Sequence, residues 1–114
     1  MLKTIKERLS DIAHPLRKVT AREACLECEK NSGKIIDVRE SEECKNAPSD
    51  IAMNIPRGVL EMQALEKFKD ADTPLYVHCA SGVRAQLAAE QLMNLGYNNV
   101  SVITCDIKEI QKAG

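Results

Sequence analysis

The stretch YVHCASGVRA places Cys79 at the end of an apolar run, with Gly82 three positions later and Arg84 five positions later. Strand, tight loop and helix in succession let backbone N–H groups from Ala80, Ser81, Gly82, Val83 and Arg84 converge on one sulfur, and the dipole of the following helix adds positive potential. Gly82 supplies a position free of Cβ restriction, which a loop wrapping its amides around one atom needs. Arg84 either turns its guanidinium to the same anion or braces the loop through carbonyls and carboxylates. Surroundings of this kind favour the thiolate, the form that attacks an electrophile. The plainer reading, a small buried residue at a strand end, leaves the joint presence of the glycine and the arginine without a purpose.

Other reactive side chains are weighed against this one. Cys105 follows the apolar run VSVIT and is a candidate relay thiol if the two strands are parallel, because the C-terminal ends of parallel strands share one edge of a sheet; its competing role is packing. Asp37 and Arg39 close the run IIDV on that same expected edge, as a supporting ion pair or loop brace, or as a solvated pair. Arg57, in the turn PRG, either lends positive potential to a bound anion or faces water. His78 alternates to the face opposite Cys79 and reads as a packed neutral histidine rather than a general base. Cys25 and Cys28 form a C-x-x-C on a predicted helix, the wrong setting for a redox pair, and with Ala21 and Ala24 they fit an inner helix face. No metal site is expected, because His14, His78 and Cys44 offer no recognisable ligand spacing to complete one, and no cofactor is called for.

The elements that must hold these residues follow from periodicity. Leu2, Ile5, Leu9 and Ile12 recur at helical spacing ahead of Pro15, which predicts an N-terminal amphipathic helix within residues 1–15, followed by one domain over 16–114. Thr20 and Glu23 have capping-box spacing, predicting a helix from about Ala21 to Lys30 that Gly33 stops. KIIDV, LYVHC and VSVIT read as buried strands. RESEECKN reads as a short helix, IAMNIPRG as returning extended chain, Leu60, Ala64, Leu65 and Phe68 as one helical face, and Val83, Leu87, Ala88, Leu92 and Leu95 as another, capped by Gly96. DIKEIQKA reads as a last helix. Strands alternating with helices through short connections predict an α/β fold, a central parallel sheet flanked by helices on both faces.

Composition bounds the function classes. The 114 residues carry a formal net charge of −1 and three aromatic side chains, so neither a basic nucleic-acid surface nor a base-stacking platform is expected. The charged N-terminal segment MLKTIKERLSDI is no secretory signal or membrane span, which makes a cytoplasmic location with five reduced cysteines the expectation.

The stretches IIDVRE, NIPRG, YVHCASGVRAQLAAEQLMNLGY and NNVSVI, in this order and at these separations, resemble a single-domain rhodanese, a sulfurtransferase. The resemblance implies a rhodanese-like domain in which Cys79 takes a sulfane sulfur from a donor such as thiosulfate or polysulfide and becomes a persulfide. It then passes the outer sulfur to cyanide, a small thiol or a protein thiol. Ala80, Ser81, Gly82, Val83 and Arg84 would cradle that sulfur, and Asp37 and Arg39 would serve the surroundings. A persulfide carrier or partner-binding module that hands sulfur to another protein without turnover on small donors is the second reading. A third rests on similarity to the phosphate loops of cysteine phosphatases and arsenate reductases, which place five residues between cysteine and arginine where this chain has the four of ASGV. The chain also departs from the family pattern, with APSDIA upstream of NIPRG and TCDIKEIQKAG after the last strand.

Overall fold

The computed structural model describes residues 1–113. Five strands form one sheet: β1 (Arg17–Val19), β2 (Lys34–Asp37), β3 (Met53–Asn54), β4 (Leu75–His78) and β5 (Val100–Ile103), in the spatial order β1-β5-β4-β2-β3. Every pairing is parallel. Helices α1 (Ile5–Ser10), α2 (Ala21–Asn31), α3 (Ser41–Asn46), α4 (Leu60–Lys67), α5 (Val83–Leu95) and α6 (Ile107–Ala113) alternate with the strands, and a short 3-10 turn at Arg57–Val59 leads into α4.

Alternating side chains divide the interior into two cores. Leu75, Val77 and Cys79 point to one face, where Leu60 and Ala64 of α4 and Ala85, Ala88, Ala89 and Leu92 of α5 close over them. Tyr76, Ile35 and Ile103 point to the other, under Ala21 and Ala24 of α2 and Ile110 of α6. Helices therefore cover both faces, as the strand–helix alternation predicts. The small residues of α5 let that helix sit close to β4, so its N-terminus is fixed above the strand's end.

Topology decides where a site can form. The chain leaves β2 towards β3 in one direction along the sheet and leaves β4 towards β5 in the other. The loops after these two adjacent strands diverge and open a crevice at their C-terminal ends, the usual ligand position in an open α/β sheet.

Local sequence signals are mostly realised. The Thr20–Glu23 capping box opens α2, and Gly96, with φ +111°, ends α5. Three expectations need correction. Gly33 is not the helix stop: Ser32 takes the left-handed conformation at φ 58°. Gly33 instead permits close approach, since a Cβ there would lie 2.9 Å from the Tyr76 ring and 3.0 Å from the Pro74 carbonyl. β1 is a strand that periodicity misses, because it is three residues long with only Val19 buried. Leu2 and Ile5 of the N-terminal stripe stay exposed while Leu9 and Ile12 are half-buried, and Leu65, Val83 and Leu95 lie exposed at the edges of their helices.

Candidate active site

Cys79 follows β4 directly and is 1% exposed. Its Sγ accepts the backbone N–H of Gly82 at 3.0 Å and that of Ala85 at 3.4 Å. The sulfur thus sits at the N-terminus of a 13-residue helix, where free amides and the helix dipole both favour negative charge. Gly82 makes this geometry with φ +98°, a conformation that side chains with a Cβ rarely adopt. Two amides reach the sulfur, from Gly82 and Ala85, a smaller cradle than the full run from Ala80 to Arg84. Ala80 is tied down from behind, its carbonyl accepting the Ile107 N–H at 2.9 Å. Ser81 and Val83 are exposed at the rim.

Arg84 is bonded in the manner of a brace. Its guanidinium donates through Nη1 and Nη2 to the two carboxylate oxygens of Glu43, at 2.6 and 2.8 Å, which ties α5 to α3 across the crevice. Glu43 is consequently pulled down to about 2 by these bonds, against a smaller opposing effect of burial, so it is ionised at any ordinary pH. The Arg84 pKa is raised, first by the Glu43 hydrogen bonds, against a smaller opposing effect of burial.

Asp37 and Arg39 form a buried ion pair, both side chains 2% exposed. Arg39 donates through Nε and Nη2 to Asp37 and through Nη2 to the Ala47 carbonyl at 2.8 Å. Burial is the largest single influence and pushes the Asp37 carboxyl up, but the Arg39 hydrogen bonds, the neighbouring His78 and the Cys44 hydrogen bond together outweigh it and the net direction is down. Cys44 adds a further donor to Asp37 at 3.3 Å, and its own thiol is pushed up to about 11, first by burial and then by that carboxylate. Asn54 donates to the carbonyls of Asp37 and Arg39 and locks the turn after β2.

His78 is fully buried between Ser49, at 2.8 Å from Nε2, and the Cys79 carbonyl, at 3.2 Å from Nδ1. Burial lowers its pKa, which Asp37 only partly offsets, so it is a neutral packed residue as its strand parity predicts. Arg57 pairs with Glu61 at 2.8 Å, and its backbone N–H bonds the Val38 carbonyl at the same sheet edge. Cys105 belongs to a segment whose Thr104 and Ile107 pack against the cysteine loop, but its own thiol turns to the other face of the sheet. Its Sγ accepts the Ala21 N–H at 3.4 Å, and it packs against the second core under α2 and α6, whereas Cys79 belongs to the first. Cys25 and Cys28 pack against that second core as well, on the inner side of α2. Among the described residues no cluster of His, Cys, Asp and Glu has the makings of a metal site.

Glu43 is the member of this cluster that sequence reasoning misses. It lies in a polar run with Glu40 and Glu42, and its partner is 41 positions away. Only the phase of α3 relative to α5 singles it out.

A family model for the rhodanese-like domain matches residues 20–113. Among solved structures, a single-domain sulfurtransferase of Saccharomyces cerevisiae is 27% identical, with a TM-score of 0.67 over 90% of this chain and 94% of its own. A rhodanese-related protein of Thermoplasma volcanium is 30% identical, with a TM-score of 0.64 over 86% of this chain and 93% of its own. A Rhodopseudomonas palustris protein described as a possible tyrosine phosphatase gives a TM-score of 0.82 over 100% of this chain and 93% of its own; at 22% identity it speaks to the fold alone. No curated protein matches the chain.

Proposed function

The chain belongs to the rhodanese-like domain family, and we propose that it is a sulfurtransferase whose Cys79 carries the sulfur as a persulfide. The observation that carries this reading is the pair of backbone amides, from Gly82 and Ala85, directed at a cysteine sulfur on the N-terminus of α5.

The chemistry is covalent catalysis in two displacements. The Cys79 thiolate attacks the sulfane sulfur of a donor; a new S–S bond forms, the donor's own bond to that sulfur breaks, and sulfite leaves if the donor is thiosulfate. A thiophilic acceptor then attacks the outer sulfur: cyanide leaves as thiocyanate, a thiol as a persulfide, and the Cys79 thiolate is restored. The amides of Gly82 and Ala85 hold the charge on sulfur at both stages. Ala80, Ser81 and Val83 shape the loop. Asp37 and Arg39 hold the neighbouring turn rigid, and Arg57 contributes at the rim. Cys105, whose sulfur accepts the Ala21 N–H of α2, is assigned no step in this cycle. Five free thiols fit a reducing compartment such as the cytoplasm, and no described helix is long and apolar enough to cross a membrane.

Two features weigh against phosphoryl chemistry. Four residues separate Cys79 from Arg84, and the Arg84 guanidinium is already committed to a carboxylate. A single sulfur suits this cradle better than a tetrahedral oxyanion.

The test is mass spectrometry of the intact reduced protein after incubation with thiosulfate or polysulfide, followed by cyanide and measurement of thiocyanate. One added sulfur on the wild type and none on Cys79→Ser is expected. Repeated thiocyanate formation identifies an enzyme, and a single stoichiometric release identifies a carrier. Absence of loading from every donor, or equal loading of Cys79→Ser, overturns the reading. Cys79-dependent hydrolysis of an aryl phosphate would reinstate the phosphatase.

A further inference from the structure

Resting on that reading, we infer that Glu43 is a specificity-determining residue: by occupying Arg84 it turns the site away from dianionic donors such as thiosulfate and towards organic persulfides. Cys79 is 1% exposed, so only the terminal sulfur of a donor reaches it, and the rest of the donor stays at the rim formed by Ser81, Val83 and Arg84. For thiosulfate that remainder is a sulfonate, which keeps substantial negative charge at the rim. For an organic persulfide it is a carbon chain.

The rim is poorly furnished for a sulfonate. Arg84 is the cationic side chain of the cysteine loop, and both its terminal nitrogens donate to Glu43 at 2.6 and 2.8 Å, so its end-on face is filled and its charge is matched by a carboxylate. Glu43 stays ionised at neutral pH, and Glu40 is also close enough to raise the Arg84 pKa. Arg57, the cation of the adjoining turn, is paired with Glu61. Behind the loop, Asp106 and Lys108 flank the Ile107 amide that holds Ala80, one charge of each sign. A sulfonate at this rim therefore meets carboxylates in excess of unpaired guanidinium, whereas an organic tail meets the exposed Val83 side chain and no repulsion.

The favoured step balances without a further reactant. The Cys79 thiolate attacks the outer sulfur of R–S–SH, the Cys79 S–S bond forms as the donor S–S bond breaks, and R–S⁻ leaves while the proton stays on the transferred sulfur.

The experiment compares second-order loading rates, followed by intact mass, for thiosulfate and for 2-hydroxyethyl persulfide. Wild type should load at least about tenfold faster from the persulfide, a difference of ~1.4 kcal/mol. Glu43→Gln keeps an oxygen that can accept the Glu40 N–H, bonded at 3.0 Å in the wild type, and removes only the charge; it should speed thiosulfate loading about tenfold while changing the persulfide rate less than threefold. That gain should vanish in Glu43→Gln/Arg84→Gln, because the freed guanidinium is its source. Equal wild-type rates for the two donors, an unchanged donor ratio in Glu43→Gln, or a gain that survives loss of Arg84 would each overturn the inference while leaving the persulfide mechanism intact. The wild-type comparison decides even if the variants do not fold. Loading from neither donor would instead remove the parent reading.

Discussion

Replacing Gly82 with alanine separates the loop's conformational role from any steric one. Its φ of +98° is costly for a residue with a Cβ, while the added methyl would meet nothing closer than the Thr104 carbonyl oxygen at 3.8 Å, an ordinary contact. If the loop keeps its shape, the penalty is backbone strain of about 1–2 kcal/mol. For a domain near this size each kcal/mol moves Tm by roughly 4–8 °C, so a fall of about 5–15 °C is expected. If the loop relaxes to negative φ, stability is spared but the Gly82 N–H, now 3.0 Å from Cys79 Sγ, swings away. A hydrogen bond to a charged group is worth about 1.5–3 kcal/mol. Its loss from the charged sulfur in the transition state would slow sulfur loading by roughly 10- to 100-fold. Thermal unfolding followed by circular dichroism, together with the loading rate by intact mass, reads both branches on one sample. A Gly82→Ala protein that melts and loads like the wild type would refute the account of the loop.

Four further outcomes follow from the geometry. Arg39→Leu should cost about 3–5 kcal/mol in urea unfolding, because it strands the Asp37 carboxylate 2% exposed and unpaired; adding Asp37→Asn should recover part of the loss, and no recovery would argue against a buried charge as the cause. His78 is held below its ordinary value of 6.5 by burial, so below that pH the unfolded chain binds the extra proton and stability declines as pH falls. Tm should therefore drop between pH 7.5 and 5.5, with a shallower drop in His78→Gln; identical slopes would assign the acid sensitivity elsewhere. Gly33→Ala should destabilise by about 1–3 kcal/mol through overpacking against Tyr76 and Pro74, and a wild-type melting curve would contradict that close approach. Cys105→Ser should load and turn over as the wild type does, since its thiol bonds α2; loss of turnover with loading retained would restore the relay role.

What the sequence discloses and what it withholds divides along the range of the interactions. Cys79, Gly82 and Arg84 lie within six residues of one another, so strand, turn and helix signals in one short window suffice to place a thiol on a helix N-terminus. The Thr20–Glu23 box is equally local. Glu43 carries no such signal, since its importance comes from a partner on another helix. The same holds for Asn54, whose side chain secures the turn carrying Asp37 and Arg39 from the next strand, 17 and 15 positions further on. Gly33 shows a third case: a glycine after Asn31 and Ser32 reads as a helix cap, but the constraint on it comes from Tyr76, across the sheet. β1 escapes notice because three residues with one buried position hold no period.

The divergence of loops after β2 and β4 joins these scattered residues into one device. Asp37 pairs in register with His78, and the Val38 N–H bonds the His78 carbonyl, so the turn after β2 and the cysteine after β4 are fixed to each other by the sheet itself. The chain then departs to opposite sides, carrying Glu43 away on α3 and Arg84 away on α5, and the ion pair between them bridges the crevice from above. The placement of the sulfur is thus a property of the sheet and of α5, while the charge presented to whatever approaches it is a property of α3. Substitutions in α3 can alter donor preference without disturbing the amides at Cys79, which is why the Glu43 variants are expected to change the ratio of donors rather than abolish loading.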